Sequence, residues 1–323
     1  MNITAALRTN VHHALLKKGI DIQKQTIQSI SLPESVTNSY FQLENMQGEQ
    51  YLIRKNGVLW PPFSRQDEAF HLNALAFQGI ETNVVVNNPQ SGFQISRLYH
   101  EDYSMSHWGQ KLEDAYTDVA KNIHHCHTQV RNYRGTYPLS LTIYSSFKKL
   151  LPEQRKALQN YYELMMKIAN AIENDYKNQV FSHNDLWPSS IYRVKNQIIL
   201  VDWEYAGGNH RAFDLAFVVL KNKFSSNKEA SFIKSYSHDH YEEKQYFVDL
   251  LKPVLSFMEI QWKIPKFNGE IPNDLFLDFK KYLYHAVKSY MYSGIKGDLV
   301  ISLVKTGEMR KRVSSKRLPT PNC

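Results

Sequence analysis

Residues 183–216 hold an arrangement that few folds accommodate. Two β-forming runs, IYRVKN and QIILVDW, are joined at Lys195–Gln197, with an acid on either side at Asp185 and Asp202. The surrounding sequence is mostly helical in pattern, so this hairpin stands alone among helices. The two acids are 17 residues apart in the chain, yet a hairpin returns its ends to one place, so the carboxylates converge. Paired acids so placed suit divalent-cation binding combined with activation of a hydroxyl. Phosphoryl transfer makes that demand: a base or orienting group at the attacking hydroxyl, Mg²⁺ on the phosphates, and a basic side chain on the nucleotide. Asp185 fits the first place and Asp202 the second.

The chain upstream reads differently. Ala6, Leu7, Val11, Ala14 and Leu15 recur at helical steps within residues 3–18. From residue 26 the pattern is β: TIQSISL, SYFQLEN, a turn at Met46–Glu49, and YLIRKNG. Ser64 followed three residues later by Asp67 resembles a capping box, and Gly79 makes a natural stop, which predicts a helix over 65–78. VVVNNP and GFQISRLY add two strands by about residue 98. Beyond residue 102, LEDAYTDVAKNIHHCHTQ places Val119, Ile123 and Cys126 on one helical face, EQRKALQNYYELMMKIANAIENDY forms a long amphipathic helix, and LDFKKYLYHAVKSYMYSGIKG is helical again. The fold class is therefore α+β, with a sheet-rich part followed by a helix-rich one.

Two cysteines, Cys126 and Cys323, make no disulfide framework, and MNITAALRTNVHHALLKKG lacks the continuous apolar core of a signal peptide. No apolar run is long enough to cross a bilayer. A cytoplasmic setting is expected. Of the formal charge of +8, residues 305–323 carry +5, which is read as a solvated basic tail in preference to a nucleic-acid contact. The run HHCH at 124–127 is read as structural, because adjacent helical residues point to different faces.

FSHNDLWPSS, followed by ILVDWEYAGGNHRAFDLA at 199–216, resembles the choline and ethanolamine kinases and the related aminoglycoside phosphotransferase superfamily. The resemblance implies a bilobal protein-kinase-like fold: a small nucleotide-binding lobe over 1–97, a hinge at 98–103, a larger helical lobe over 104–304 that carries catalysis and the acceptor, and the tail. It implies ATP and Mg²⁺ as cofactors and a small-molecule hydroxyl as acceptor, with amino alcohols of the choline or ethanolamine kind favoured. Asp185 and His183 fall in its catalytic loop, Asp202 and Ser190 at its metal positions, and Asp214 where the loop backbone is held. ESVTNSYFQLE matches the nucleotide loop through Thr37, Asn38 and Tyr40, without that loop's glycines. Arg54 falls at the phosphate-binding position and Glu68, in R-x-x-E, at its acidic partner. Ser96, Arg97, Leu98 and Tyr99 would meet the adenine.

Two positions depart from the family pattern. Ser190 stands where the family carries a metal-binding Asn, and Lys221 stands where choline kinases carry an acid. Tyr205 and Tyr284 are the aromatic candidates for acceptor contact. The departures leave open a kinase for another acceptor, such as thiamine or an aminoglycoside, and a binding module that keeps the fold without efficient transfer.

Overall fold

Period-2 alternation organises the first sheet. In chain order the elements of this part are α1 (Ala5–Leu16), β1 (Gln28–Ile30), β2 (Ser39–Glu44), β3 (Gln50–Lys55), α2 (Arg65–Phe77), β4 (Val84–Asn88) and β5 (Phe93–Arg97). The five strands form an antiparallel sheet in the order β1-β2-β3-β5-β4. Ile53 pairs with Phe41 and Ile95 across the neighbouring strands, while the next residue, Arg54, pairs with Tyr40 and Gln94. Successive side chains leave a strand on opposite faces. One face is therefore apolar, and it packs with Leu7, Val11 and Leu15 of α1. Each such fully buried aliphatic or aromatic side chain contributes about 2 kcal/mol. The other face carries the polar row Tyr40, Arg54 and Gln94.

The computed structural model describes residues 4–21, 28–30, 38–45, 47–57, 63–108, 113–267 and 270–293. Thr37, the start of the Met46–Glu49 turn and the tail 305–323 lie outside them. Helix α2 begins at Ser64, whose Oγ accepts the Asp67 N–H at 3.1 Å and donates to the Asp67 carboxylate at 2.7 Å. Gly79 ends it with a φ of +68°, a conformation that costs glycine little.

The remaining elements are α3 (Glu113–Gln129), α4 (Leu139–Lys148), α5 (Pro152–Glu173), β6 (Gln179–Ser182), β7 (Ile191–Val194), β8 (Gln197–Leu200), β9 (Gly207–His210), α6 (Ala212–Lys221), α7 (Ser226–Tyr236), α8 (Tyr241–Lys263) and α9 (Asn273–Ser293). The chain divides into two compact units. One runs to Tyr137 and resumes over Lys177–Tyr241; the other comprises Pro138–Tyr176 and the chain from Glu242 onward. In the second unit, aromatic rings join the helices: Phe147 stacks on Tyr162 at 4.1 Å, and Tyr161 meets Phe279 edge-on at 5.2 Å.

In the first unit β7 and β8 form the isolated hairpin. Its turn is confined to Lys195 and Asn196, both with positive φ, the combination that two-residue hairpin turns require; Gln197 already belongs to β8. A second small sheet pairs β6 with β9. Nothing in GGNH favours a strand, and the pairing depends on close approach: a Cβ on Gly208 would stand 2.7 Å from the Tyr133 ring. Gly208 also bonds through its N–H to Gly135 O at 3.0 Å and through its carbonyl to the Tyr137 N–H at 2.7 Å.

Candidate active site

The loop after β6 is held from behind by one carboxylate. Asp214, in the first turn of α6, accepts the backbone N–H groups of His183 at 2.8 Å and Asn184 at 2.9 Å. His127, near the end of α3, bonds the same carboxylate through Nε2 at 3.1 Å and the Tyr236 hydroxyl through Nδ1 at 2.9 Å. Burial alone would raise the Asp214 pKa, but the hydrogen bond and charge of His127, with the His183 contacts, reverse the direction and lower it. Asn184 adopts a left-handed φ of 69°; its side chain donates to Tyr205 O at 2.9 Å and accepts from Asn209 at 2.8 Å. Asn enters that region more readily than most residues, and these two long-range bonds hold it there.

His183 is buried, with both ring nitrogens engaged by backbone. Nε2 lies 2.9 Å from Val201 O and Nδ1 lies 3.3 Å from the Asp185 N–H. A carbonyl only accepts, so Nε2 carries the proton and Nδ1 is the acceptor. Burial lowers the His183 pKa, which favours this neutral form. The ring ties the loop to the end of the β7–β8 hairpin, and so ties the stretch bearing Asp185 to the stretch bearing Asp202.

Asp202 also has a left-handed φ, of 68°, and caps the short turn Trp203–Tyr205. Backbone strain of this sort collects where a side chain must be aimed. The Asp185 carboxyl is pushed up to about 8, by burial first and then by the negative charges of Asp202 and Glu204; the nearby Trp187 side chain and the charge of Lys221 oppose the rise. Asp202 is raised as well, by the protein packed around it and by Glu204, with Arg54 and Arg65 pulling it down. Its side chain is nevertheless 42% exposed, so an ion can reach it. Carboxyls that hinder one another's ionisation are relieved by a divalent cation, and the donor set is the hard oxygen type that Mg²⁺ prefers. Among the described residues no three His, Cys, Asp or Glu side chains are grouped to hold a metal unaided. A cation here would complete its shell from phosphate oxygens and water, as Mg²⁺ commonly does.

The polar face of the first sheet meets this region. One guanidinium nitrogen of Arg54 donates to both carboxylate oxygens of Glu68, and a second lies 3.8 Å from Asp202 and 3.5 Å from Glu204. Gln94 donates to Glu68 at 3.1 Å. Arg65 bridges Glu68 at 2.9 Å and Glu204 at 3.0 Å, and donates to Asn38 Oδ1 at 2.7 Å. Asn38 in turn donates to Glu204 at 3.2 Å and accepts the Gly57 N–H at 3.1 Å. Arg65 and Glu204 were not singled out from the sequence. The signal was there for both: R-x-x-E puts Arg65 and Glu68 on one helical face, and Glu204 sits in the DWEY run beside Asp202.

The other sequence candidates are more dispersed. Ser96 and Arg97 are the last two residues of β5, and the Leu98 N–H bonds Gln50 O at 2.9 Å. The Tyr99 ring lies 5.6 Å from that of Tyr192. Ser190 is buried at the hairpin's entrance, its N–H on Trp187 O at 2.8 Å and its carbonyl on the Val201 N–H at 2.9 Å. Tyr205 packs edge-on against Phe63 at 5.1 Å, and burial with the nearby acids raises its pKa strongly. Tyr284 lies on α9 in the second unit, 51% exposed.

Comparison with known proteins shows the family and the fold. The profile of the choline/ethanolamine kinase family matches residues 65–284. Protein LicA of Haemophilus influenzae is 23% identical over 203 residues, covering 60% of this chain and 74% of that protein; a second Haemophilus influenzae LicA matches to the same identity over 58% of its length. The choline kinase LicA from Streptococcus pneumoniae superposes with a TM-score of 0.62 at 17% identity, covering 88% of this chain and all of that one. A LicA structure in complex with AMP gives a TM-score of 0.59 at 15% identity, with the same coverage. The α+β fold is therefore protein-kinase-like. Among the described residues no helix is long and apolar enough to cross a membrane.

Proposed function

The chain belongs to the choline/ethanolamine kinase family and is a small-molecule phosphotransferase, and from that premise we propose that it transfers the terminal phosphoryl group of ATP to a hydroxyl at Asp185, acting in the cytoplasm. Asp185 orients the acceptor hydroxyl and takes its proton as the new O–P bond forms and the bond to ADP breaks. Its raised pKa suits that role, because a base poised near neutrality both ionises and accepts. Mg²⁺, when bound, neutralises charge on the phosphate oxygens; Asp202 would hold it, with Ser190 near the same loop. Arg54, braced by Glu68, sets the charge opposite the phosphates, and Asn38 with Arg65 keeps that brace joined to the DWEY turn. His183 positions the loop through its two backbone bonds. Ser96 to Tyr99 would meet the adenine, and Tyr205 would contact the acceptor. Lobe boundaries at 97 and 104, with 305–323 as a tail, remain part of this proposal.

The observation that carries it is the electrostatic coupling of Asp185, on the loop fastened by Asp214, with Asp202 and Glu204 beyond the β7–β8 hairpin. The test is ADP release by purified protein with Mg·ATP and a panel of choline, ethanolamine, thiamine, sugars and aminoglycosides. At least one acceptor should raise ADP release above the acceptor-free rate and yield a phosphate monoester by mass spectrometry. Failure with every acceptor, together with no affinity for Mg·ATP, would overturn the proposal.

A further inference from the structure

Two residues beyond Asp185, the Trp187 ring carries a cation of this chain. The Lys221 ammonium, at the end of α6, lies 4.0 Å from the centroid of Trp187 and 5.4 Å from that of Phe217. The two rings meet edge-on at 5.7 Å, which forms an aromatic corner. The Trp187 N–H bonds the Asp185 carbonyl at 3.0 Å, and the Trp187 side chain and the Lys221 charge both pull the Asp185 carboxyl's pKa down. Trp187 therefore joins two places: its backbone is bonded to that of Asp185, and its ring face holds a positive charge. The ammonium and both rings thus lie beside the loop that carries Asp185.

We propose that Lys221 is a specificity-determining residue that occupies the aromatic face beside Asp185 and so favours acceptors with an anionic or neutral group there over a quaternary ammonium. An aromatic face attracts a cation only while the seat is open. Here a cationic head group would have to displace Lys221 and approach a like charge, whereas a sulfonate or carboxylate would gain an opposite one. The proposal rests on phosphoryl transfer at Asp185, and it narrows the acceptor class within that reading.

The test uses three alcohols that share HO–CH₂–CH₂ and differ in charge at the far end: isethionate (anionic), 3,3-dimethyl-1-butanol (neutral) and choline (cationic). In the full chain with Mg·ATP, kcat/KM should fall in that order, with choline at least about tenfold below the neutral isostere, a difference of about 1.4 kcal/mol carried mainly in KM. K221M should shrink the gap, and K221E should invert the order. Two substitutions of opposite character guard against a folding defect in either, and the ratio between isosteres is insensitive to overall loss of active protein. Choline ranking first in the wild type, or a ratio unmoved in both variants, would overturn the proposal. If none of the three is phosphorylated, calorimetric affinities in the presence of Mg·ADP must still follow the order, and any other order overturns it. Loss of transfer to every acceptor tried, by contrast, would count against the phosphotransferase reading itself.

Discussion

A single guanidinium nitrogen of Arg54 lies 2.6 and 2.7 Å from the two carboxylate oxygens of Glu68, with the side chains only 5% and 1% exposed. Strand β3 and helix α2 are thereby joined by a pair of charges that water barely reaches. Taking such charges out of water is costly, and mutual attraction with further hydrogen bonds offsets the cost. Gln94, Arg65 and Asn56 supply those bonds. The net gain in stability is modest while both partners are present; the sensitivity appears when one is removed.

Glu68→Ala is accordingly expected to destabilise the first unit by about 3–5 kcal/mol, because Arg54 is left buried with a weaker complement. Thermal melting should show the loss, and KM for ATP should rise as Arg54 loses its fixed direction. Arg54→Lys keeps the charge but not the planar donor geometry, so it should retain only part of the affinity for ATP. Melting within experimental error of the wild type in Glu68→Ala would refute the structural role.

Asp185→Asn should lower kcat by about 10²–10⁴-fold, the range associated with removing a general base. Nucleotide affinity should persist, since the substitution leaves Arg54, Glu68 and Asp202 in place. Single-turnover kinetics alongside nucleotide titration would separate the two effects. Turnover at the wild-type rate would remove Asp185 from the mechanism.

Asp214→Ala deprives two buried N–H groups, those of His183 and Asn184, and the His127 ring of their shared acceptor. Each unsatisfied group costs about 1–3 kcal/mol. Amide hydrogen exchange at His183 and Asn184 should accelerate, and kcat should fall with little change in KM for ATP, because the loop that carries Asp185 loosens. Unchanged exchange at those two amides would show that the loop is held by something else.

The direction of proton linkage is set by Asp185, whose carboxyl rises from 3.8 to about 8 on folding. Between those values the folded protein holds a proton that the unfolded chain has released. This group therefore weakens stability as pH rises from about 4 to about 8. A cation and nucleotide at the site favour the ionised carboxyl, so their binding near pH 7 should release protons, and the release should vanish above about pH 9. Calorimetry in buffers of differing ionisation enthalpy measures the number. Proton uptake on binding, or a heat independent of buffer, would contradict the assignment.

Much of the architecture is legible in local pattern. Alternation in SYFQLEN and YLIRKNG marks β2 and β3, Ser64 and Asp67 mark the start of α2, and IYRVKN with QIILVDW marks the hairpin that the structure forms as β7 and β8. These signals are short-range: side-chain periodicity, a cap, and the left-handed turn at Lys195 and Asn196. The pairing of β6 with β9 is not legible, because it depends on Gly208 approaching Tyr133 across a long stretch of chain and not on any β-forming tendency in GGNH.

At the site, the sequence by itself supplied the residue types and their order on which the proposed chemistry rests: acids flanking a hairpin, HNDL before it and DWEY after it. Only tertiary structure decided how those groups are poised. Asp185 became a weak acid because folding partly buried it near Asp202 and Glu204, and His183 became a two-point brace because Val201 and Asp185 offered it a carbonyl and an N–H. Arg65 and Glu204 joined the Arg54–Glu68 pair because strand, helix and turn converge there from positions 54, 65 and 204. Lys221 came to rest on Trp187 only when α6 packed against the loop. Desolvation and charge–charge energies depend on distance in space, which the order of residues along the chain does not specify.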